Sequence, residues 1–381
     1  MKKKLLLLLL AMICLVPASI SASSAPPPKN VVLIDAKSGR AFVPVRILSG
    51  FEGTNVQWNA AEQKIDIAKG DVQLTMFVGK KNASVNEQSR SLTDAPFTEA
   101  GVTYVPLQPV SEALNLPMEW DKSLSSISLG QGEERLILPL ASRGATESGG
   151  KPVVSERKSI KVGGKTFTVQ MVTISLMDPR VRLDVVLAGD KVGKVEDLSS
   201  IAKRHKAVVA VNGTFFDAYT SGAYKAPYGY IVNGGEIKKT ASGDKRTIFT
   251  YDQNLLAQLI PGKEFSERYD EGRMDGALQA GPRLVVDGKV ALDVKAEGFK
   301  DPKILTGGGA RSALGLTRDH KLILLTTGGA TIPQLAEIMK QAGAYQAMNL
   351  DGGASSGLYY NGKYLTTPGR KISNALIVTY Q

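Results

Sequence analysis

The sequence predicts an α+β protein: a small two-repeat α/β domain followed by a larger mixed-sheet α+β domain. Three observations point there. Thirty-nine glycines and eighteen prolines against 6% aromatics favour many turns and short strands over a helical bundle. Residues 30–130 repeat internally at an offset of 62. From Ser159 onward, period-two alternation returns in runs of strand length. A chain of 381 residues has room for two or three domains, and its 43% hydrophobic and 22% charged residues exclude wholesale disorder and collagen-like repeats.

The N-terminus reads as a signal peptide over residues 1–25. Lys2, Lys3 and Lys4 precede the apolar run Leu5 to Val16, and Pro17 breaks it before the small residues Ala18 to Ala25. About a dozen apolar residues fall short of the roughly 20 that a spanning helix needs, so no stable membrane span is expected after cleavage. The single cysteine, Cys14, lies inside this segment behind the bulky Ile13, which does not suit a lipoprotein site. The mature chain is therefore expected to lack disulfides and thiolate chemistry, and to be secreted or cell-wall associated. The formal net charge is +11, three units of it from Lys2 to Lys4. Such a chain favours anionic partners. No basic stripe interleaved with aromatics marks a nucleic-acid surface. A phosphorylated glycan or cell-wall polymer is the expected partner.

In the repeat, Phe42-Val43-Pro44-Val45 aligns with Tyr104-Val105-Pro106-Leu107. At the same offset Ser49 meets Ser111, Val56 meets Met118, Trp58 meets Trp120, Asn59 meets Asp121 and Ile65 meets Ile127. Each unit predicts an extended segment ending in Pro, a short helix-compatible run, then a strand carrying Trp and a turn. The two tryptophans suit either a sugar-stacking pair or core packing, and core packing is the expectation. These residues resemble the N-terminal stalk domain of copper amine oxidases, which bacterial envelope proteins carry as an accessory module. His and Cys are absent from the segment, so the resemblance implies no copper here.

Residues 131–157 read as a linker, with the small polar run 143–150 at its centre. Beyond it, 166–174 and 181–187 predict strands. Val195 to His205 predicts a helix with Leu198, Ile201 and Ala202 on one face, and Ala207 to Val211 a buried strand running into Asn212-Gly213.

Several motifs mislead. Gly307-Gly308-Gly309 lacks the third spaced glycine of a dinucleotide fingerprint. Gly353-Ala354-Ser355-Ser356-Gly357 fits a nucleophile elbow, but a strand-like Leu358-Tyr359-Tyr360 follows it, and the only histidines, His205 and His320, come earlier. With two histidines and no mature cysteine, a zinc site has no support. Four polar, glycine-rich turns remain at the ends of apolar strands: Val211 to Asp217; Pro227 to Gly229, leading to Asn233-Gly234-Gly235; Gln279 to Gly288; and Arg311 to Gly315 with Met348 to Ser356. Asn233-Gly234 and Asp287-Gly288 read as hairpin turns. The run Asn349-Leu350-Asp351-Gly352-Gly353 holds more Asp, Gly and Ser than a solvated turn needs. Glycine lets backbone N–H groups approach an oxyanion, and strand-end Asp and Asn place polar groups at a sheet edge.

As an ordered set, Val211 to Asp217, Pro227 to Gly229, Pro282 to Gly288, Arg311 to Gly315 and Asn349 to Ser356 resemble the phosphodiester glycosidase family. The helix opened by Thr331, and Arg370 with Asn374 to Val378, also fit. Ala354 stands where a third glycine is usual, and Lys371 alters the spacing around the terminal arginine. The resemblance covers about 220 residues and implies a phosphodiester glycosidase domain over 158–381. The implied reaction is hydrolysis of the sugar C1–O bond in glycosyl-1-phosphodiesters of cell-wall or exopolysaccharide glycans. It casts Asp351 first, and Asp217 second, as the catalytic carboxylate, with Arg311 on the phosphate. Asn212, Gly213, Asn349, Gly352, Gly353, Ser355, Ser356 and Arg370 form the expected substrate-binding set. No cofactor is required, though Asp351 and Asn349 are ligand types that admit Mg²⁺ or Ca²⁺. Two other readings stay open: a non-catalytic binder of phosphorylated wall polymers, and an exopolysaccharide assembly factor.

Overall fold

The computed structural model describes residues 28–144 and 150–380. The expected signal segment with Cys14, and residues 145–149 of the polar run, lie outside the described residues. Among the described residues no helix is long and apolar enough to cross a membrane.

The N-terminal repeat is visible as geometry. Strands Ala41–Pro44 and Val102–Pro106 pair antiparallel with Val43 opposite Val105, so equivalent positions of the two copies meet about a local pseudo-twofold. Both valines are fully buried, as are the equivalent Ile65 and Ile127. After each strand the chain turns helical. Val45–Gly50 makes only a 3₁₀ segment, whereas Leu107–Leu114 makes a true α-helix. β-branched Val45 and Ile47 with Ser49-Gly50 disfavour the first, while Leu, Gln, Glu and Ala favour the second.

The tryptophans depart from expectation. Trp58 and Trp120 are 42% and 49% exposed. Both sit on edge strands, Thr54–Asn59 and Met118–Asp121. Each covers the isoleucine opposite it, Ile65 or Ile127, and leaves its other side to solvent because no further strand follows.

The segment 131–157 is more structured than a linker. Leu136–Ser142 is a strand of the N-terminal seven-stranded sheet, lying between Ser126–Leu129 and Val32–Ile34, with Leu138 in the core. Val153–Val162 already belongs to the C-terminal domain, paired along its length with Lys165–Ser175. Its alternation is weak because many of its residues are exposed, so composition alone hid it.

The C-terminal domain is mostly β. A seven-stranded antiparallel sheet contains Lys321–Ala330, Gly309–Leu316 and Gln346–Asn349 as its centre. A five-stranded sheet centred on Val209–Asn212 and Asn374–Tyr380 faces it, beside a second five-stranded sheet containing Gly276–Gln279. Leu314, Leu324 and Met348 from the first sheet, Val211 and Leu376 from the second, and Leu278 from the third share one core. The outer face of the large sheet is covered by helix Ile332–Gln341, entered through a Thr331–Gln334 capping box. Leu198–Arg204 covers the second sheet with Leu198, Ile201 and Ala202. The hairpins at Asn233-Gly234 and Asp287-Gly288 are both present.

The two domains share core contacts, Val31, Leu33, Phe42 and Tyr104 packing with the C-terminal residues. A buried lysine reinforces the junction. Lys29 donates through Nζ to the carbonyls of Leu176 and Asp178, both at 2.5 Å. Burial, aided by Arg182 and opposed by Asp178, pushes its amine down to about 7.

Candidate active site

The large sheet and the sheet of Val209–Asn212 meet at one end, where two strand-end turns are tied together. Asp351 donates its backbone N–H to the Gly213 carbonyl at 3.1 Å, and Leu350 does the same to Ser312 at 2.8 Å. Asn212 locks the junction: its Nδ2 donates to the Asp351 carbonyl at 2.7 Å. Its Oδ1 accepts from Ser312 Oγ at 2.7 Å and from the Gly357 N–H at 3.0 Å. A fully buried amide needs such partners, and here they are the backbone of the site itself. The side chain expected to orient sugar hydroxyls thus has its polar groups engaged in positioning Asp351.

Gly213 has a similar role. A Cβ on it would stand 1.9 Å from Asn374 Oδ1, and its N–H donates to the Asn374 carbonyl at 3.0 Å. Only glycine lets the two strands close this far. Its backbone groups hold the turn and are not left for substrate.

Arg311 is 3% exposed, yet it makes no ion pair among the described residues. Three carbonyls hold it instead: Ala330 accepts from Nε at 2.9 Å, and Lys303 and Gly307 accept from Nη2 at 2.7 and 2.8 Å. Burial draws its pKa below the usual arginine value, with Asp301 opposing. The guanidinium remains cationic, because arginine is not deprotonated in proteins. The remaining nitrogen, Nη1, faces the loop after Asp351: a Cβ on Gly352 would lie 3.7 Å from it, and 3.0 Å from the Ala310 carbonyl. A buried cation fixed by neutral dipoles, with one nitrogen turned to a glycine loop, is a ready partner for an anion.

Asp351 stands at that loop. Its carboxylate accepts from the Gly352 N–H at 2.9 Å. Desolvation pushes its pKa up to about 7, against the opposing effects of the Ser355 hydroxyl, the Gly352 N–H and Arg370. Ser355 and Ser356 are buried beside it. Ser356 Oγ and Asn349 Oδ1 have no hydrogen-bond partner, while Asn349 Nδ2 donates to the Gly281 carbonyl at 2.9 Å. Gly353 is exposed with a φ of 60°, and its carbonyl accepts from the Ser356 N–H at 3.1 Å.

At the outer rim the expected Arg370 meets two residues that sequence reasoning missed, Tyr219 and Lys303. Arg370 donates to the Tyr219 hydroxyl at 2.8 Å and lies 4.7 Å from the ring centroid, with Lys303 6.0 Å from the same ring. Tyr219 is 79% exposed, and its hydroxyl pKa is lowered first by the Arg370 hydrogen bond, then by the charges of Arg370 and Lys303, with Asp351 opposing. A tyrosine two positions after Asp217 was the one signal available for it. Lys303 lies on the short helix Pro302–Leu305, and nothing in its surroundings marked it.

Asp217 stays apart. Its Oδ1 accepts from the Thr220 N–H at 3.1 Å within its own turn, and among the described residues none of its hydrogen bonds reaches Asp351 or Arg311. Among the described residues there is also no group of three or more His, Cys, Asp or Glu arranged to hold a metal. Asp351 and Asn349 alone do not make a fitting donor set for a resident cation. Cavities of about 310 to 640 Å³ lie elsewhere, at the junction of the domains and on the N-terminal domain.

Known proteins bear on both halves of the chain. Residues 205–379 match the phosphodiester glycosidase family, and 28–129 and 88–177 match the copper amine oxidase N-terminal domain. Among solved structures, the chain is similar to the zebrafish N-acetylglucosamine-1-phosphodiester alpha-N-acetylglucosaminidase catalytic domain auto-inhibited by its pro-peptide. The identity is 19% and the TM-score 0.52, covering 62% of this chain and 86% of that one. A hypothetical protein from Synechocystis gives 14% identity and a TM-score of 0.53, covering 93% and 97%. These likenesses show the fold. No functionally curated protein matches the chain. The two resemblances read from the sequence thus hold as matches to these two families.

Proposed function

We propose that this chain, bearing a phosphodiester glycosidase domain behind a stalk-type domain, hydrolyses the sugar C1–O bond of glycosyl-1-phosphodiesters. The single observation that carries the reading is Arg311: buried, without an ion pair among the described residues, and turned toward the glycine loop of Asp351. A phosphodiester supplies the missing anion. Its departing phosphomonoester is already a stable anion, so the demand for a general acid is smaller than in ordinary glycoside cleavage. Asp351, with a carboxyl near 7, is basic enough to accept a proton from the attacking water at neutral pH. Negative charge there also stabilises the oxocarbenium-like centre. Arg370 and Lys303 add cationic charge at the rim, and Tyr219 offers an aromatic face to a sugar ring.

The substrate class is a phosphorylated glycan or wall polymer, met by an exported protein. The net charge of +11 and the leader-like N-terminus support this setting. The test is incubation of purified protein with N-acetylglucosamine-1-phosphodiesters and with wall teichoic acid, with released sugars identified by mass spectrometry. Free sugar from the wild type and none from Asp351→Asn supports the reading. Tight retention of polymer with no release would instead favour the binder.

A further inference from the structure

A second concavity shares no residue with the Asp351 site. It is a cleft of about 630 Å³ between the domains, within the size range of small-molecule sites. One wall comes from the N-terminal edge strand Met118–Asp121 and Arg135, the other from the C-terminal strands around Tyr251 and Gln258 and from Arg268 to Met274. Arg273 Nη1 reaches across to the Arg135 carbonyl at 3.4 Å, so both domains frame it.

Its chemistry is specific in two ways. Trp120, half exposed, stands on the wall as a flat apolar face. Its repeat partner Trp58 has the same edge-strand setting but is not part of this cleft. The charges lining the cleft balance, with four cationic and four acidic side chains. Most are already paired: Arg135 with Glu119 at 3.1 Å, and Arg268 at 3.4 Å and Arg273 both with Glu271. A cleft for an anion would show an excess of unpaired cations, as Arg311 does. Paired guanidinium and carboxylate groups instead present fixed donors and acceptors side by side, which suits vicinal hydroxyls of a neutral ligand. An indole face beside such groups suits the C–H face of a pyranose ring.

We infer that this interdomain cleft is an accessory binding site for a neutral oligosaccharide strand, with Trp120 as its stacking platform. The site does not depend on the catalytic reading, and it gives the N-terminal domain a role in holding glycan.

The test uses the full chain. Trp58→Phe leaves Trp120 as the only tryptophan of the described residues; because Trp120 also lines a cavity on the N-terminal domain, Arg273→Ala, which touches only the interdomain cleft, should weaken the same fluorescence response. Titration with chitotetraose, cellotetraose and maltotetraose should shift the emission for at least one of them, with a Kd of about 1 mM or tighter. Calorimetry should show the same affinity in the wild type and in Asp351→Asn, and a loss of at least about tenfold in Trp120→Ala. Trp120→Tyr, which keeps a flat ring, should bind between the two and covers the case in which Trp120→Ala misfolds. Absence of binding to all three tetrasaccharides overturns the inference. So does unchanged affinity in folded Trp120→Ala, or loss of binding in Asp351→Asn, which would move the ligand to the other site.

Discussion

Asp121 ends its strand and Asp351 follows the strand Gln346–Asn349 by two residues, one in each domain, yet they inhabit opposite electrostatic worlds. Asp121 is exposed and closes its own turn, accepting from Ser123 N–H at 2.8 Å, Ser123 Oγ at 2.7 Å and Leu124 N–H at 3.0 Å. What burial it has works upward, but those three donors together hold its carboxyl below the usual value. Asp351 has fewer donors and a desolvated setting between two sheets, and its carboxyl rises to about 7. The residue type and a place at the start of a turn after a strand are shared. Enclosure by a second sheet is what converts a turn former into a group able to exchange a proton near neutral pH.

The largest expected effect breaks that contrast at its centre. Asp351→Asn keeps the shape and the Gly352 contact but removes the charge, and kcat should fall by about 10³-fold with the fold intact by circular dichroism. Asp121→Asn should leave kcat unchanged. Arg311→Lys comes next. It keeps a positive charge but loses the planar fork that three carbonyls hold, so kcat/KM for a phosphodiester should drop by about 10²-fold, while affinity for the free sugar hardly moves. Equal losses on both ligands would remove Arg311 from the phosphate. Gly213→Ala should cost about 1–3 kcal/mol in denaturant unfolding, because the new methyl meets Asn374 Oδ1 and the strands that carry Asp351 must part.

The smallest effect concerns the sign of pH dependence. The Asp351 carboxyl is raised on folding, so the native state binds more protons than the unfolded state between about 4 and 7. Its contribution to stability is present below the unfolded value and is lost as pH rises to about 7. Discounted for partial exposure, this is about 1–2 kcal/mol. Asp121 runs the other way: its contribution is present above its unfolded value and fades as pH falls through the lowered folded value. Urea melts from pH 4 to 8 should therefore show Asp351→Asn gaining on the wild type as pH rises. A constant gap across the range would mean that Asp351 is not desolvated.

Much of this was legible in residues. A gapless offset of 62 foretold that Val43 and Val105 are equivalent, and the fold sets them opposite each other. Asn212, Arg311, Asn349 and Asp351 were singled out from glycine-rich polar turns at the ends of apolar strands and from the family resemblance. What sequence could not carry was placement across space. The tryptophans looked like core because of their size, but edge strands left each with a single covered face. Leu136–Ser142 hid beside a polar run. Tyr219, Lys303 and Arg370 are surface residues from three separate loops and elements, and only the folded chain brings them around one ring. Asn212 and Gly213 were recognised as important but assigned to substrate, because sequence does not show that their hydrogen bonds are already made within the protein.

The most direct test of the central claim is the position of bond cleavage. A synthetic N-acetylglucosamine-1-phosphodiester is hydrolysed by the wild type in water enriched in the heavy oxygen isotope, and both products are weighed by mass spectrometry. With Asp351 activating water toward the sugar, the label appears at the sugar C1 hydroxyl and the phosphomonoester stays unlabelled. Label in the phosphate would contradict the account, since it would mean attack at phosphorus and a site that Asp351 and Arg311 do not describe.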